Sequence, residues 1–229
     1  MLLALDTATT TASLAVYDLA TDRLLAELTW QARRRHTQDV LGQAQHLLAL
    51  MDLAARDLTA LAVTTGPGSF TGVRIGISVV KGMALGLPNA PRVIGAPTLT
   101  VTAAPWIELA AQGAAMVCAF IQAGRGRYNW AYFSGAGLLH RPAVDDHHAG
   151  ALQELVDALA DQPAASVWLA GELDDELRDA VAPLSHIHVI DATNAQRRAG
   201  QLARVAAQLL RNGVEDNLES LQPLYLRAP

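Results

Sequence analysis

Hydrophobic and polar positions divide the chain into two halves that predict the same order of elements. The first half opens with short apolar or alternating stretches, "LLALD", "ASLAVYD" and "RLLAELTW", whose connections are too short for a helix. They predict an antiparallel meander of three strands. A helix over 37–51, a buried strand "LTALAVTTG", a helix ending near Leu85 and a strand "RVIGAP" follow. The segment "TLTVTAAPWIELAAQG" predicts helix with a break near Pro105.

The pattern then starts again at "AAMVCAFIQAG" and "GRYNWAYFSG", with a third strand predicted at "GLLHRPAVD". Helix, strand, helix, strand and a long final helix complete the second half. Two meanders, each followed by alternating helix and strand, predict mixed sheets with helices on their faces. The fold class is therefore α/β, with two tandem ribonuclease-H-like domains as in the actin, sugar-kinase and Hsp70 group. We place the domains at 1–104 and 105–229 and expect the final helix to be able to pack back on the first domain. Fold alone does not give function.

Composition narrows the class of protein. The 229 residues carry a formal net charge of −5, which argues against unaided binding to nucleic acid. The single cysteine, Cys118, excludes an internal disulfide and lies in the apolar run "AMVCAFI", as a buried thiol would. No basic segment precedes the first apolar run, and no uncharged apolar segment reaches the ~18 residues that span a bilayer. We expect a cytoplasmic protein with no membrane contact.

Asp6 ends the first predicted strand, where the actin-like group places an aspartate that helps to hold the metal of Mg-ATP. No glycine lies between Asp6 and Ser13, so close approach of the backbone to a phosphate is harder. Asp6 is either the remnant of a phosphate turn or a carboxylate that bonds the amides and hydroxyls of its own turn. In the second half Gln122 stands where a matching carboxylate is expected, and an amide is a poor ligand for Mg²⁺. Because neither turn has all the residues expected for binding phosphate and Mg²⁺, the sequence argues against a self-sufficient ATPase.

The stretch "TTGPGSFTGVRIGISVVKG", at 64–82, is the most distinctive of the chain. It lacks the G-x-x-x-x-G-K-[ST] pattern of a Walker loop and the G-x-S-x-G pattern of a nucleophilic serine. It predicts a tight turn that enters a helix, with Ser69 or Thr71 as the cap. A nucleophilic role for Ser69 would need a base, and only His36 is near in sequence.

Glycines recur along this helix at 72, 76, 82 and 86, although each interior glycine costs about 0.8–1 kcal/mol relative to alanine. Four-residue spacing places pairs of them on one face, where another backbone can come close. That neighbour is either part of this chain or a partner protein.

The histidines indicate no metal site, and the basic clusters do not by themselves indicate a binding partner. No two histidines show the i, i+4 spacing that holds a metal on one helical face, and we expect no metal site. The cluster "RRRH" at 33–36 is either a solvated face or a contact to tRNA or an acidic partner. Arg125 and Arg127 leave the same alternatives open.

Several segments together resemble one family. The stretches "LLALDTATTTASLAVYD", "HTQDVL", "LAVTTGPGSFTGVRIGISVVKGMALGL", "VIGAPTL" and "PLYLR" are similar to the TsaB (YeaZ) family of bacterial tRNA threonylcarbamoyladenosine biosynthesis proteins, once grouped with glycoproteases. The resemblance is strongest over residues 1–100, and "GPGSFTGVRIG" is its most specific part. The larger paralogue TsaD shares much of that stretch but carries a His-x-x-x-His metal motif, which this chain lacks.

The resemblance implies a non-catalytic subunit. TsaB-like chains pair with TsaD through their first domain and, with the ATPase TsaE, support transfer of threonylcarbamoyl onto the adenosine 3′ of the anticodon in tRNAs that read ANN codons. They also form homodimers through that surface. No cofactor is expected to bind tightly to this chain; ATP and Mg²⁺ would enter only within the complex. "QAGRGRYNW" departs from the family pattern, since Gln122 takes the acidic position while Arg125 and Tyr128 match it.

The partner interface is expected on the glycine-bearing helix and the helix before it. Its predicted residues are His36, Val40, Gly68, Phe70, Gly72, Arg74, Ile75, Gly76, Val79, Val80 and Met83. Two other functions stay open: an independent actin-like ATPase or kinase, suggested by Asp6 and the duplicated fold, and a peptidase, suggested only by the older family grouping and by Ser69 or His36.

Overall fold

The computed structural model describes residues 1–32, 36–124, 126–135 and 141–226, and only the backbone of residues 36–38. The chain divides into two compact units. Residues 1–98 and 198–224 form the first; residues 99–197, with Tyr225 and Leu226, belong to the second.

The first unit is built around a five-stranded sheet in the order β3-β2-β1-β4-β5. Its elements are β1 (Leu2–Asp6), β2 (Thr11–Asp18), β3 (Arg23–Gln31), α1 (His36–Leu50), β4 (Ala60–Gly66), α2 (Phe70–Gly86) and β5 (Arg92–Pro97), and the final helix of the chain joins them. The predicted meander of β1, β2 and β3 is antiparallel, and β4 and β5 run parallel to β1. Helices α1 and α2 pack on the face of the sheet that carries Leu3, Leu5 and Leu14.

The second unit repeats this plan with a sheet in the order β8-β7-β6-β9-β10. Its elements are α3 (Thr98–Ala103), α4 (Ile107–Gln112), β6 (Met116–Gln122), β7 (Arg127–Phe133), β8 (His148–Ala151), α5 (Leu152–Ala160), β9 (Val167–Ala170), α6 (Asp175–Val181), β10 (Ile187–Val189) and α7 (Ala192–Ala195). Each sheet is a meander of three strands followed by two parallel strands. The chain therefore has the predicted α/β fold of two tandem ribonuclease-H-like domains, each a mixed sheet flanked by helices.

The third strand of the second half was predicted at 137–145, and this prediction is wrong. Residues 137–140 lie outside the described part of the chain, 141–143 form no regular element, and Val144–Asp146 form a 3₁₀ turn. The strand that pairs with β7 is β8, three residues further along. Pro142 lacks the amide that a strand needs for its ladder, which explains why pairing starts only after it.

The final helix, α8 (Ala199–Arg211), belongs to the first unit and lies against β1 and β2. Its first amide donates to Ser13 Oγ at 2.9 Å. Ser13 alternates with Leu14 along β2, so α8 covers the sheet face opposite to α1 and α2. The division by packing thus falls at residue 98 rather than 104, and it assigns 198–224 to the first unit. Within the described ranges, no helix has the length and apolar character of a membrane span.

Candidate functional site

The loop before α2 is a tight turn whose polar groups bond within the chain. Gly66 has a φ of +106°, a region that favours glycine, and the peptide bond between Gly66 and Pro67 is cis. Ser69 is the N-cap of α2, and its Oγ accepts the Gly72 amide at 3.2 Å. The hydroxyl of Ser69 therefore has a capping role in the structure.

The first glycines of α2 allow close packing inside the chain. The Thr7 hydroxyl donates to the Gly72 carbonyl at 2.8 Å, and the Ser69 amide donates to the Ala8 carbonyl at 2.6 Å. A Cβ at Gly72 would overlap the Thr7 carbonyl oxygen, and one at Gly76 would meet the Thr7 side chain. The alternatives left open by the glycine spacing are thus resolved at these positions: the neighbour belongs to this chain, and it is the backbone of Thr7 at Gly72 and the side chain of Thr7 at Gly76.

This packing corrects part of the predicted interface. Gly72 and Gly76 are buried, and Gly68 lies against the backbone of Ala8. Val80 and Val40 are also buried, within the core that α1 and α2 form on the sheet. The four buried residues offer no surface to a partner in this fold, whereas Gly68 is partly exposed although its backbone packs against the turn after β1.

Gly82 and Gly86 differ from the earlier glycines. A Cβ at either position would meet no atom within 4 Å, and both residues are exposed. The helical glycines therefore form two groups, of which only the C-terminal pair lies at the surface.

One side of α2 remains open to solvent and is apolar. Six residues, which we call the α2 outer face, line a shallow depression of about 380 Å³: Phe70, Thr71, Arg74, Ile75, Ser78 and Val79. Phe70 is 55% exposed, and the Arg74 guanidinium carbon lies 3.7 Å from the centre of its ring. α2 contains no acidic residue, and its two charges are Arg74 and Lys81.

A second groove lies where α1 and α2 approach each other. Met83 is partly buried there and lines a cavity of about 250 Å³ together with Leu41, Leu48 and Gly86. Leu41 is 47% exposed, so the apolar surface continues from α2 towards α1. The side chain of His36, another predicted interface residue, lies outside the described part of the chain.

Asp6 is buried and bonds the turn that follows it. Its Oδ1 accepts the Ala8 amide at 2.9 Å and the Thr64 hydroxyl at 3.0 Å. These contacts match the second of the two roles considered for Asp6, a carboxylate that bonds its own turn. The Ala8 amide is therefore bonded to the carboxylate of its own turn.

The corresponding turn of the second unit is closed by a residue that the sequence analysis missed. Asp174 Oδ2 accepts the Tyr128 hydroxyl at 2.6 Å and the Gln122 side-chain amide at 2.9 Å, and Asp174 Oδ1 accepts the Leu177 amide at the start of α6. Burial, followed by the bond to Asp174, raises the pKa of Tyr128 well above its usual range. The signal was "LDDELRDAV", in which an aspartate precedes a helix as an N-cap.

Other candidate residues stay apart from these clusters. Among the residues that the structure describes, no three His, Cys, Asp or Glu side chains lie together as metal ligands. Cys118 is buried, and burial raises the pKa of its thiol. Arg127 is exposed on β7, and Arg125 and residues 33–35 lie outside the described ranges.

Comparison with protein families and with curated proteins shows which family the chain belongs to. The family model of TsaD, described as tRNA N6-adenosine threonylcarbamoyltransferase, matches residues 30–229. The chain is 32% identical to TsaB of Escherichia coli over 99% of its own length and 94% of that protein. This chain belongs to the TsaB (YeaZ) family. It is also 40% identical to TsaB of Haemophilus influenzae over 58% of its length and 52% of that protein.

Solved structures agree with membership in the TsaB family. YeaZ from Pseudomonas aeruginosa superposes with a TM-score of 0.75 at 26% identity, covering 98% of both chains. A second structure from that organism, described as similar to the peptidase YeaZ, gives a TM-score of 0.78 at 28% identity over 99% of both chains. The ethanolamine utilization protein EutJ of Carboxydothermus hydrogenoformans, with a TM-score of 0.54 at 11% identity over 89% of both chains, shares the fold alone.

Proposed function

We propose that this TsaB-family chain takes part in tRNA threonylcarbamoyladenosine biosynthesis as a non-catalytic subunit. It docks a TsaD-like catalytic paralogue and supports transfer of threonylcarbamoyl onto the adenosine 3′ of the anticodon in ANN-decoding tRNAs. A TsaE-like ATPase joins the complex, and tRNA is contacted through the complex. A second copy of the chain competes for the same surface.

The α2 outer face carries this proposal. Phe70 is an exposed aromatic ring with Arg74 stacked on it, and aromatic and arginine side chains are those that contribute most at interfaces. A specific interface buries about 800 Å² on each partner, more than one helix supplies. Leu41 on α1 and the groove beside Met83 extend the apolar surface beyond the α2 outer face.

The two turns support a non-catalytic role for the chain. The Asp6 carboxylate bonds Ala8 and Thr64, and the Asp174 carboxylate bonds Gln122 and Tyr128. Both carboxylates are therefore engaged within the chain: the bonds of Asp6 are buried, the Tyr128 bond to Asp174 is partly buried, and the Gln122 bond to Asp174 is exposed. Each such bond contributes about 0.5–1.5 kcal/mol, and more where the acceptor is charged.

The experiment uses the purified chain and the TsaD-like paralogue of the same organism. Mixed at micromolar concentration, the two should co-elute from a size-exclusion column ahead of either protein alone. The paralogue should modify tRNA in the presence of the chain and only weakly without it, and the chain alone should modify none. Separate elution, or tRNA modification by the chain alone, would contradict the proposal.

Titration with nucleotide tests the catalytic status of the chain. Calorimetry with Mg-ATP should give no saturable heat for the isolated chain, because both phosphate turns are bonded internally. Asp6→Ala serves as the control, since tight binding that this substitution removes would favour an independent actin-like ATPase. With the paralogue added, saturable binding is expected to return.

A further inference from the structure

The C-terminal tail of the first unit, residues 214–224, carries a further inference. It follows α8, contains no helix or strand, and packs with the first unit. The tail ends with Pro223 and Leu224, the first two residues of the "PLYLR" stretch, to which the docking role assigns no function. Three anchors fix its path, at Asp216, Leu221 and Leu224.

The first anchor lies on β5, the last strand of its sheet, which has a neighbouring strand on one side only. The Asp216 amide donates to the Val93 carbonyl at 2.8 Å, and the Asp216 Oδ2 atom accepts the Gly95 amide at 2.7 Å. A single tail residue thus supplies the donor and the acceptor that a further strand would otherwise supply. Asp216 therefore covers part of the open edge of the sheet.

The second anchor is the side chain of Leu221, which is buried in the same core as α1 and α2. A Cβ at Gly95 would lie 2.7 Å from a methyl carbon of Leu221, so the bare backbone of β5 leaves room for this side chain. Burial of a leucine stabilises the folded chain far more than a surface contact does. The tail is thus fixed to the first unit before it reaches the turn that precedes α2.

The third anchor joins the tail to the end of β4. β4 pairs with β5 as far as Thr64 and again at Gly66, with a register shift between them, so Thr65 has no partner residue on β5. Pro97, the partner of Gly66, has no amide to donate. The Leu224 amide supplies a donor here, because it bonds the Thr65 carbonyl at 2.7 Å.

This last bond lies next to the start of the docking helix. Thr65 and Gly66 end β4 directly before the turn that enters α2. A Cβ at Gly66 would lie 3.2 Å from the Leu224 carbonyl oxygen, so the tail backbone also lies against the turn itself. The same turn is bonded to the segment after β1, through the Ser69 amide and the Ala8 carbonyl. Two segments therefore hold the turn, one after β1 and one in the tail.

We propose that the C-terminal tail is a latch that positions the start of α2 for docking. The Leu224 amide is the positioning group: by holding the Thr65 carbonyl, it fixes the turn from which the α2 outer face extends. This latch function rests on the proposed docking role, but it also determines a property of the free chain, since the turn should open more often when the latch bond is lost. The two effects can be measured separately.

The test compares Leu224→Pro with the wild-type chain. Proline has no amide, so the bond to Thr65 is lost while the side chain stays apolar. Hydrogen exchange of the ¹⁵N-labelled free chain should show the Ser69 and Gly72 amides exchanging about threefold to tenfold faster, and the amides of β6 in the second unit exchanging as before. Affinity for the TsaD-like paralogue, measured by calorimetry, should fall by about threefold to tenfold.

Leu224→Ala is the matched control, because it keeps the amide and removes only part of a half-buried side chain. It should exchange and bind as the wild type does. Asp216→Ala is a second variant, which removes the acceptor of the Gly95 amide and loosens the first anchor without a proline. Both of its readouts should change in the same direction as those of Leu224→Pro, by about twofold or more. Circular dichroism establishes that each variant is folded; if Leu224→Pro is unfolded, Asp216→Ala decides.

Faster exchange together with weaker docking in the folded variants supports the latch. Unchanged exchange in both variants refutes it, as does faster exchange with unchanged affinity. If Leu224→Ala has as large an effect as Leu224→Pro, the amide bond is not the cause and the proposal is wrong. If the wild-type chain does not bind the paralogue, the docking role fails, and the exchange rates alone decide whether the tail holds the turn.

Discussion

Exchanging Gly72 for alanine is expected to destabilise the first unit by about 3 kcal/mol, the upper part of the range for overpacking substitutions. The added methyl group would overlap the Thr7 carbonyl oxygen, which is backbone and cannot move aside as a flexible side chain would. Relief requires α2 to shift away from the β1 turn and to lose the bond from the Thr7 hydroxyl to the Gly72 carbonyl. Urea unfolding followed by tryptophan fluorescence, to which Trp30 contributes from its place against the core of this unit, measures the change.

Gly82→Ala is the matched control on the same helix. A Cβ at this position meets no atom within 4 Å, so the substitution adds only helix propensity. It should raise the free energy of unfolding by up to about 1 kcal/mol. Equal effects of Gly72→Ala and Gly82→Ala would contradict the internal packing of Gly72. Gly76 is not a suitable position for testing docking, because a side chain there would meet Thr7 and Val63 inside the fold.

Phe70→Glu is expected to weaken binding of the TsaD-like paralogue by about thirtyfold or more, the loss typical of an aromatic residue that dominates an interface. The substitution removes an exposed ring and places a carboxylate four residues before Arg74. An acidic residue in the first turn of a helix, paired with an arginine at i+4, favours the helix. The fold should therefore be retained while binding is lost, which calorimetry and thermal unfolding measure separately.

Leu109→Glu is the control for the charge change. Leu109 is 51% exposed on α4, in the second unit, and the same change from an apolar to an acidic residue is made there. Its affinity for the paralogue should equal that of the wild type. The docking role of the α2 outer face is refuted if both variants bind the paralogue as the wild type does, or if both lose binding equally.

Near-neighbour patterns account for the elements that were predicted well. The alternation in "ASLAVYD" and the continuous apolar run in "LTALAVTTG" each needed only local information, and both are strands in the structure. The third strand of the second half was placed too early because its apolar residues precede Pro142, while the true strand, "HAGA", is short and has little apolar character. Its pairing is set by β7 rather than by its own sequence.

In the candidate site, too, the features set by neighbouring residues were predicted and those set by distant residues were not. Ser69 as a cap and Asp6 as a turn carboxylate follow from residues close in sequence. Asp174, in contrast, meets Gln122 across 52 positions, and a hydrogen bond over that separation leaves no periodic signal. The contact of the C-terminal tail with the turn before α2 likewise joins segments that are far apart in the sequence, so no local motif could have indicated it.

By itself the sequence determined the duplicated α/β fold and, through "GPGSFTGVRIG", the resemblance to the TsaB family. Both follow from hydrophobic periodicity and local motifs, which involve residues that are close together in the sequence. It also showed that the α2 glycines were kept at a cost in helix propensity. Only the tertiary structure decided what each glycine faces, because α2 has an inner and an outer side that the spacing alone cannot distinguish. Gly72 and Gly76 lie against the β1 turn, while Phe70, Arg74 and the open positions at Gly82 and Gly86 lie at the surface.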